Sequence, residues 1–189
     1  MRMLLVALAA IQIVTFQSSP AEASEEFRFE YFPHLDAEVE FHNDWGAGRS
    51  GGRRHQGTDV FSSKMTPVVA VADGFVERVH KGPRSGYYVW IRHSAGYSTW
   101  YMHLNNDTPG TDDGRGGDEF AIAEGIEKGA FVQAGETIAW VGDSGNAEPT
   151  RPHTHFELHR NGRPINPYPY LADVWERELR LTELHQTLV

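Results

Sequence analysis

Residues 75–103 read FVERVHKGPRSGYYVWIRHSAGYSTWYMH. Within them, Phe75 to Val79, Tyr88 to Arg92 and Ser98 to His103 are short runs rich in β-branched and aromatic residues, separated by turns that contain glycine. Val68 to Val71 precedes them, and Thr137 to Val141 and His153 to Leu158 follow with the same character. That spacing predicts an all-β domain, a mostly antiparallel sheet or sandwich. Asp73-Gly74, between the first two runs, predicts a tight hairpin.

Outside this region the pattern changes. Residues 43–54 hold too many glycines for a helix interior and predict a loop that delivers the chain to His55. Residues 105–117, NNDTPGTDDGRGG, predict a long solvated loop. Asp107, Asp112, Asp113 and Asp118 miss the ligand spacing of a calcium-binding helix-loop-helix. Near the C-terminus, Leu171, Val174, Trp175, Leu179, Leu184 and Leu188 recur mainly at helical spacing, which predicts a helix over 171–189 that lays its apolar stripe on the sheet.

The N-terminus opens with Arg2, an apolar run from Met3 to Phe16, and Ala21-Glu22-Ala23, the order of a secretory signal peptide over residues 1–23. The apolar run is shorter than the roughly 20 residues of a spanning helix, so the expectation is export to the cell envelope or medium, with no stable membrane insertion after cleavage. Residues 24–42, aromatic and acidic, predict an extended lead-in, and 43–170 the main domain. The chain has no cysteine, which excludes disulfides, thiolate metal sites and a cysteine nucleophile. A formal net charge of −9 argues against nucleic-acid binding.

Chemistry concentrates in two places. His153-Thr154-His155 lies in a predicted strand, where residues two apart share a face. His55 and Asp59 also share parity, but a fully extended chain would hold them about 13 Å apart. Gly57, midway, is expected to take a bulged or positive-φ conformation that draws them together. Imidazole nitrogens with a carboxylate and no thiol suit zinc. Three protein ligands leave a fourth position for a water, whose pKa zinc lowers to about 7.

These residues resemble peptidase family M23, the lysostaphin-type zinc metallopeptidases that cut the cell wall. The likeness runs from Asp44 to Pro167: His55-Gln56-Gly57-Thr58-Asp59, Thr66-Pro67-Val68-Val69-Ala70, Asp73-Gly74, Tyr101-Met102-His103-Leu104, Gly135-Glu136-Thr137-Ile138, Gly142-Asp143-Ser144-Gly145, His153-Thr154-His155-Phe156-Glu157 and Ile165-Asn166-Pro167, in family order. The resemblance implies one zinc ion on His55, Asp59 and His155. It implies His103 and His153 as the catalytic pair that does not bind the metal, and a peptidoglycan peptide as substrate. Met65 stands where the family usually has glycine, and Thr154 where it has leucine; neither change removes a reacting group.

Glu157 shares a face with the two histidines, as a general base or, more plainly, as a hydrogen-bond partner that orients one of them. The loop after Leu104 is expected to wall a substrate groove. Trp45, Tyr88, Trp90 and Tyr101 are expected in the groove or the core, and His34, His42, His80, His93, His159 and His185 on the surface or in packing. Two rival readings stand beside the peptidase: a catalytically silent module that regulates other wall enzymes, and a cupin, whose glutamate and third histidine would sit elsewhere relative to His-x-His.

Overall fold

The computed structural model describes residues 27–35 and 37–188; the expected signal peptide lies outside them. The chain forms β1 (Thr58–Phe61), β2 (Pro67–Val69), β3 (Gly74–Gly82), β4 (Gly86–Arg92), β5 (Tyr97–Leu104), β6 (Phe131–Val132), β7 (Thr137–Trp140), β8 (His153–Arg160), β9 (Arg163–Ile165) and α1 (Tyr168–Leu188). One seven-stranded sheet runs β1-β8-β5-β4-β3-β6, with β9 also on β8, and a two-stranded sheet pairs β2 with β7. Every pairing is antiparallel, so the expected all-β architecture with a C-terminal helix is what the molecule has.

Strand alternation sorts the faces. Tyr97, Thr99 and Tyr101 of β5 are buried, as are Thr154, Phe156 and Leu158 of β8. Thr99 pairs with Leu158 and Tyr101 with Phe156. This inner face packs with Val68, Ala139, Phe29, Phe32, Leu171 and Val174 into one core. The Tyr101 hydroxyl accepts a 3.0 Å hydrogen bond from the Val71 amide, which ties the large sheet to the end of β2. The segment at 27–35 is held by main-chain bonds from Glu30 N to Val71 O and from Val69 N to Pro33 O.

Three expectations need correction. Asp73-Gly74 is no hairpin: β2 pairs with β7, and β3 with β4 and β6. The pair turns the chain from one sheet into the other. Asp73 Oδ1 accepts the Ala134 amide and its carbonyl accepts His93 Nδ1, each at 2.8 Å. A Cβ at Gly74 would lie 2.6 Å from Ile91 Cγ2, so close packing demands the glycine.

Gly57 likewise has no positive φ. A Cβ there would meet the Phe156 carbonyl at 2.5 Å and the His155 ring at 2.9 Å. The bend that brings His55 to Asp59 lies before β1, and the glycine lets that bend pass close over β8. Finally, only the first half of α1 is packed. Leu171 and Val174 are buried and Trp175 lies tilted against Phe32, but Leu179, Leu184 and Leu188 are exposed because the helix outruns the sheet.

Candidate metal centre

Because the even-numbered residues of β8 face the core, His153, His155, Glu157 and His159 face outward. β1 sets Asp59 opposite His155, and β5 sets Met102 opposite it from the other side. His55 arrives from the preceding loop, fixed by main-chain bonds of 2.9 Å from His55 N to Ala47 O and from Gly46 N to His55 O.

Three atoms converge there. His55 Nε2 lies 2.9 Å from His155 Nδ1 and 3.1 Å from Asp59 Oδ1, and His155 Nδ1 lies 2.9 Å from Asp59 Oδ1. A tetrahedral zinc with bonds of about 2.0–2.1 Å spaces its ligand atoms about 3.3 Å apart, so the triangle needs only small adjustment to hold one.

The outer ring nitrogens decide the tautomers. His55 Nδ1 faces Asp44 Oδ2 at 3.0 Å and the Asp44 carbonyl at 3.1 Å. His155 Nε2 faces Glu157 Oε1 at 3.0 Å. Ionised carboxylates and carbonyls only accept, so in the neutral rings the protons sit on these outer nitrogens and the inner ones present lone pairs. Two lone pairs and a carboxylate oxygen within 3.1 Å call for a cation among them. The donor set, two imidazoles and one carboxylate, suits zinc with an open coordination position.

Proton affinities report the same pull towards positive charge. Burial depresses the His55 imidazole, but hydrogen bonds with Asp44 and Asp59 outweigh it and lift its pKa to about 9. His155 is also raised: burial opposes, and Asp59 and Glu157 prevail. Burial favours a protonated Asp59, yet hydrogen bonds with His155 and His55 hold it far below the usual carboxylate range. Protons and a metal ion compete for these lone pairs. Arg49 Nη2 takes Asp59 Oδ2 at 2.5 Å, which leaves Oδ1 alone to face the triangle.

His103 and His153 stand beside the triangle, their rings 5.1 Å apart. His103 Nδ1 donates to the Ser144 carbonyl at 2.9 Å, and His153 Nδ1 to the Arg151 carbonyl at 2.8 Å. Each therefore keeps an unprotonated Nε2, and that of His153 lies 3.9 Å from Asp59 Oδ1. Burial and the neighbouring His153 lower the His103 pKa to about 4, and burial lowers His153 as well. His103 adopts a left-handed backbone at φ 60°, costly for a residue with a Cβ, while its amide donates to the Ser85 carbonyl.

The five predicted site residues share one cleft of about 530 Å³. One wall is the loop with Arg53, Arg54 and Gln56, and the other is the β3–β4 turn with Pro83, Arg84 and Ser85. The acidic loop at 105–117 contributes no lining residue, so the expected groove wall is replaced by these two. Nor is that loop merely solvated: Asn105, Asn106 and Asp107 are buried. Lys64 Nζ lies 2.6 Å from Asp107 and Asp112 and 2.8 Å from Asp143, and fills the centre of that carboxylate cluster.

Glu157 follows the plainer expectation. Its two oxygens are occupied by His155 and, at 2.6 Å, by His159 Nε2. Its pKa falls to about 2, since hydrogen bonds from both histidines overcome burial. His159, expected on the surface or in packing, is packed: it stacks on Trp100, and through Glu157 it is also a second support of His155. Of the four aromatics considered, Tyr101 is core, Tyr88 and Trp90 stack on or against Trp100, and none of the four lines the cleft. Residue type and spacing give Asp44, Arg49 and Ser144 no role; the signals near them are the glycine-rich loop around the first two and the Gly142-Asp143-Ser144-Gly145 motif around the third.

A sequence model of Peptidase family M23 matches residues 53–113 and 119–167. The chain is 39% identical over 116 residues to an uncharacterized metalloprotease of Haemophilus influenzae, covering 61% of this chain and 20% of that protein. It is 32% identical over 154 residues to the L-Ala–D-Glu endopeptidase of Bacillus subtilis, covering 76% of this chain and 42% of that one. The chain therefore spans less than half the length of either relative. A zinc-containing peptidase from Vibrio cholerae superposes with a TM-score of 0.55 at 30% identity, over 74% of this chain and 39% of the other.

Proposed function

The chain belongs to peptidase family M23, and from that premise we propose that it is an exported zinc endopeptidase that hydrolyses amide bonds in peptidoglycan peptide stems or crosslinks. The observation that carries this reading is the triangle of His55 Nε2, Asp59 Oδ1 and His155 Nδ1, with both imidazoles turned lone pair inward by Asp44 and Glu157. One zinc ion on these atoms would polarise the substrate carbonyl and acidify a water.

The remaining work falls to His103 and His153. With Nδ1 pinned to a carbonyl and the ring kept neutral by burial, each offers Nε2 as a proton acceptor at neutral pH. A histidine that has taken the proton of the attacking water becomes a donor at the same atom. It can pass that proton to the leaving amine or hold it against the charge that develops on the carbonyl oxygen. Two such rings divide these tasks. A donor at every ligand position weighs against the silent regulatory module.

Export rests on the charged, apolar and small-residue order of residues 1–23. Among the described residues no helix is long and apolar enough to cross a membrane. The test is incubation with crosslinked peptidoglycan, with zinc and then with a strong chelator, and mass spectrometry of the released fragments. Chelator-sensitive loss of crosslinked dimers, abolished in His155→Ala and His103→Ala, is the expected result. Absence of cleavage of any wall type by zinc-loaded protein refutes the proposal.

A further inference from the structure

The walls of the cleft are basic in an acidic protein. Arg49, Arg53, Arg54 and Arg84 line it, against the carboxylates of Asp59 and Glu157 alone. Arg49, Asp59 and Glu157 are already engaged with one another or with the histidines. The other three arginines are exposed and, among the described residues, form no ion pair. Elsewhere Arg92, Arg151, Arg177 and Arg180 each face a glutamate or aspartate, and Arg78 and Arg160 lie over the rings of Trp90 and Tyr97, so what sets the cleft arginines apart is their gathering around one site.

Two of the three free guanidiniums are held in place, and the main chain of the third is fixed. Arg53 Nε and Nη2 donate to the Ser50 carbonyl and hydroxyl at 3.2 and 3.3 Å, and Arg54 Nη1 to the Gly46 carbonyl at 3.1 Å. Arg84 sits at the β3–β4 turn, where its carbonyl accepts the Asn146 amide at 3.0 Å. The sheet order β1-β8-β5-β4 puts the Arg53 and Arg54 wall and the Arg84 wall on opposite sides of the strands that carry the site histidines. A guanidinium offers five donors in a planar fork matched to a carboxylate. A cleft lined by one sign of charge also concentrates ligands of the other.

We propose that Arg53, Arg54 and Arg84 read free carboxylates on both sides of the scissile amide, so that the substrate is an acidic crosslinked peptide rather than an uncharged glycine bridge. This rests on the peptidase reading above and specifies its substrate. The restraint is electrostatic and bidentate, so amidation of the same carboxylates removes it while barely changing the peptide's size.

The experiment uses the zinc-loaded full chain and two muropeptide dimers of one sequence, one with its glutamyl and diaminopimelyl carboxylates free and one with both amidated. The expected kcat/KM is about tenfold higher for the free dimer, mainly through KM, because exposed charge pairs are individually weak and two or three together reach that factor. The gap narrows with added salt. Arg54→Gln/Arg84→Gln removes the difference between the dimers. Equal rates on both dimers, or an unchanged preference in the double variant, overturns the proposal. Equilibrium binding of both dimers to zinc-depleted protein separates it from the peptidase reading. Tighter binding of the free dimer, with no hydrolysis of either dimer by the zinc-loaded protein, sustains the carboxylate site and sinks the peptidase. Equal binding sinks the site.

Discussion

Substitution of Glu157 by alanine weakens zinc binding about 10- to 100-fold without unfolding the sheet. Glu157 touches no triangle atom; it acts on the far side of His155, where Oε1 accepts from Nε2 at 3.0 Å. That bond fixes the neutral ring with its proton outward. Without it the proton can move to Nδ1 and donate to Asp59 Oδ1, 2.9 Å away, which occupies the position a metal needs. A hydrogen bond to a charged group contributes about 1.5–3 kcal/mol, and 1.4 kcal/mol is a factor of ten, so the shift in tautomer alone reaches that range. Loss of similar supports costs about the same at other metal sites. Competition with a chelator of known zinc affinity measures the effect, with circular dichroism as a control for folding. Zinc affinity equal to wild type in a folded Glu157→Ala protein would falsify the argument that this carboxylate sets the tautomer.

Other regions respond differently. His34 is buried between Thr154 and Ser62, and burial, with the nearby His153, lowers its pKa from 6.5 to about 3. The unfolded chain binds the proton first, so stability present above pH 6.5 is lost as pH falls towards 3, at about 1.4 kcal/mol per unit. Urea melts of zinc-loaded protein at pH 6.5 and 5 should show a shallower loss in His34→Gln; an identical slope contradicts this. Ser144 donates to the Leu104 carbonyl and accepts the Tyr87 amide, which anchors the carbonyl that holds His103. Ser144→Ala is expected to lower kcat about tenfold with zinc affinity unchanged, and a matching loss of zinc would refute a role confined to His103. Lys64→Met strands Asp107 and Asp143, both nearly buried, and should cost about 2–3 kcal/mol in thermal or urea unfolding; unaltered stability argues that the cluster is bystander charge.

The strands that carry the site were legible because each is a run of β-branched and aromatic residues with a glycine nearby: Tyr88 to Arg92 and Ser98 to His103 fall inside β4 and β5. Their alternation also told which residues of 153–158 face outward. What escaped was non-local. No local pattern says that β2 pairs with β7 some seventy residues on, and β6 and β9, two and three residues long, are too short to show a period. The supports of the site escaped for the same reason. Asp44 reaches His55 across a loop, Ser144 reaches His103 from a turn 41 residues away, and His159 matters only through Glu157. Gly57 was noticed for the right place and the wrong cause, since sequence shows a missing side chain but not the carbonyl that would collide with it.

The placement of His153, His155, Glu157 and His159 on alternate positions of one central strand makes the site a gauge of alignment. A slip of β8 by a single residue against β1 and β5 would turn all four polar side chains into the core and Thr154, Phe156 and Leu158 out to water. A misregistered chain is thus both poorly buried and blind to metal. On the proposed function, uptake of zinc during folding would favour the one pairing in which Asp59 meets His155, and zinc content in a refolded sample would count the molecules that found it.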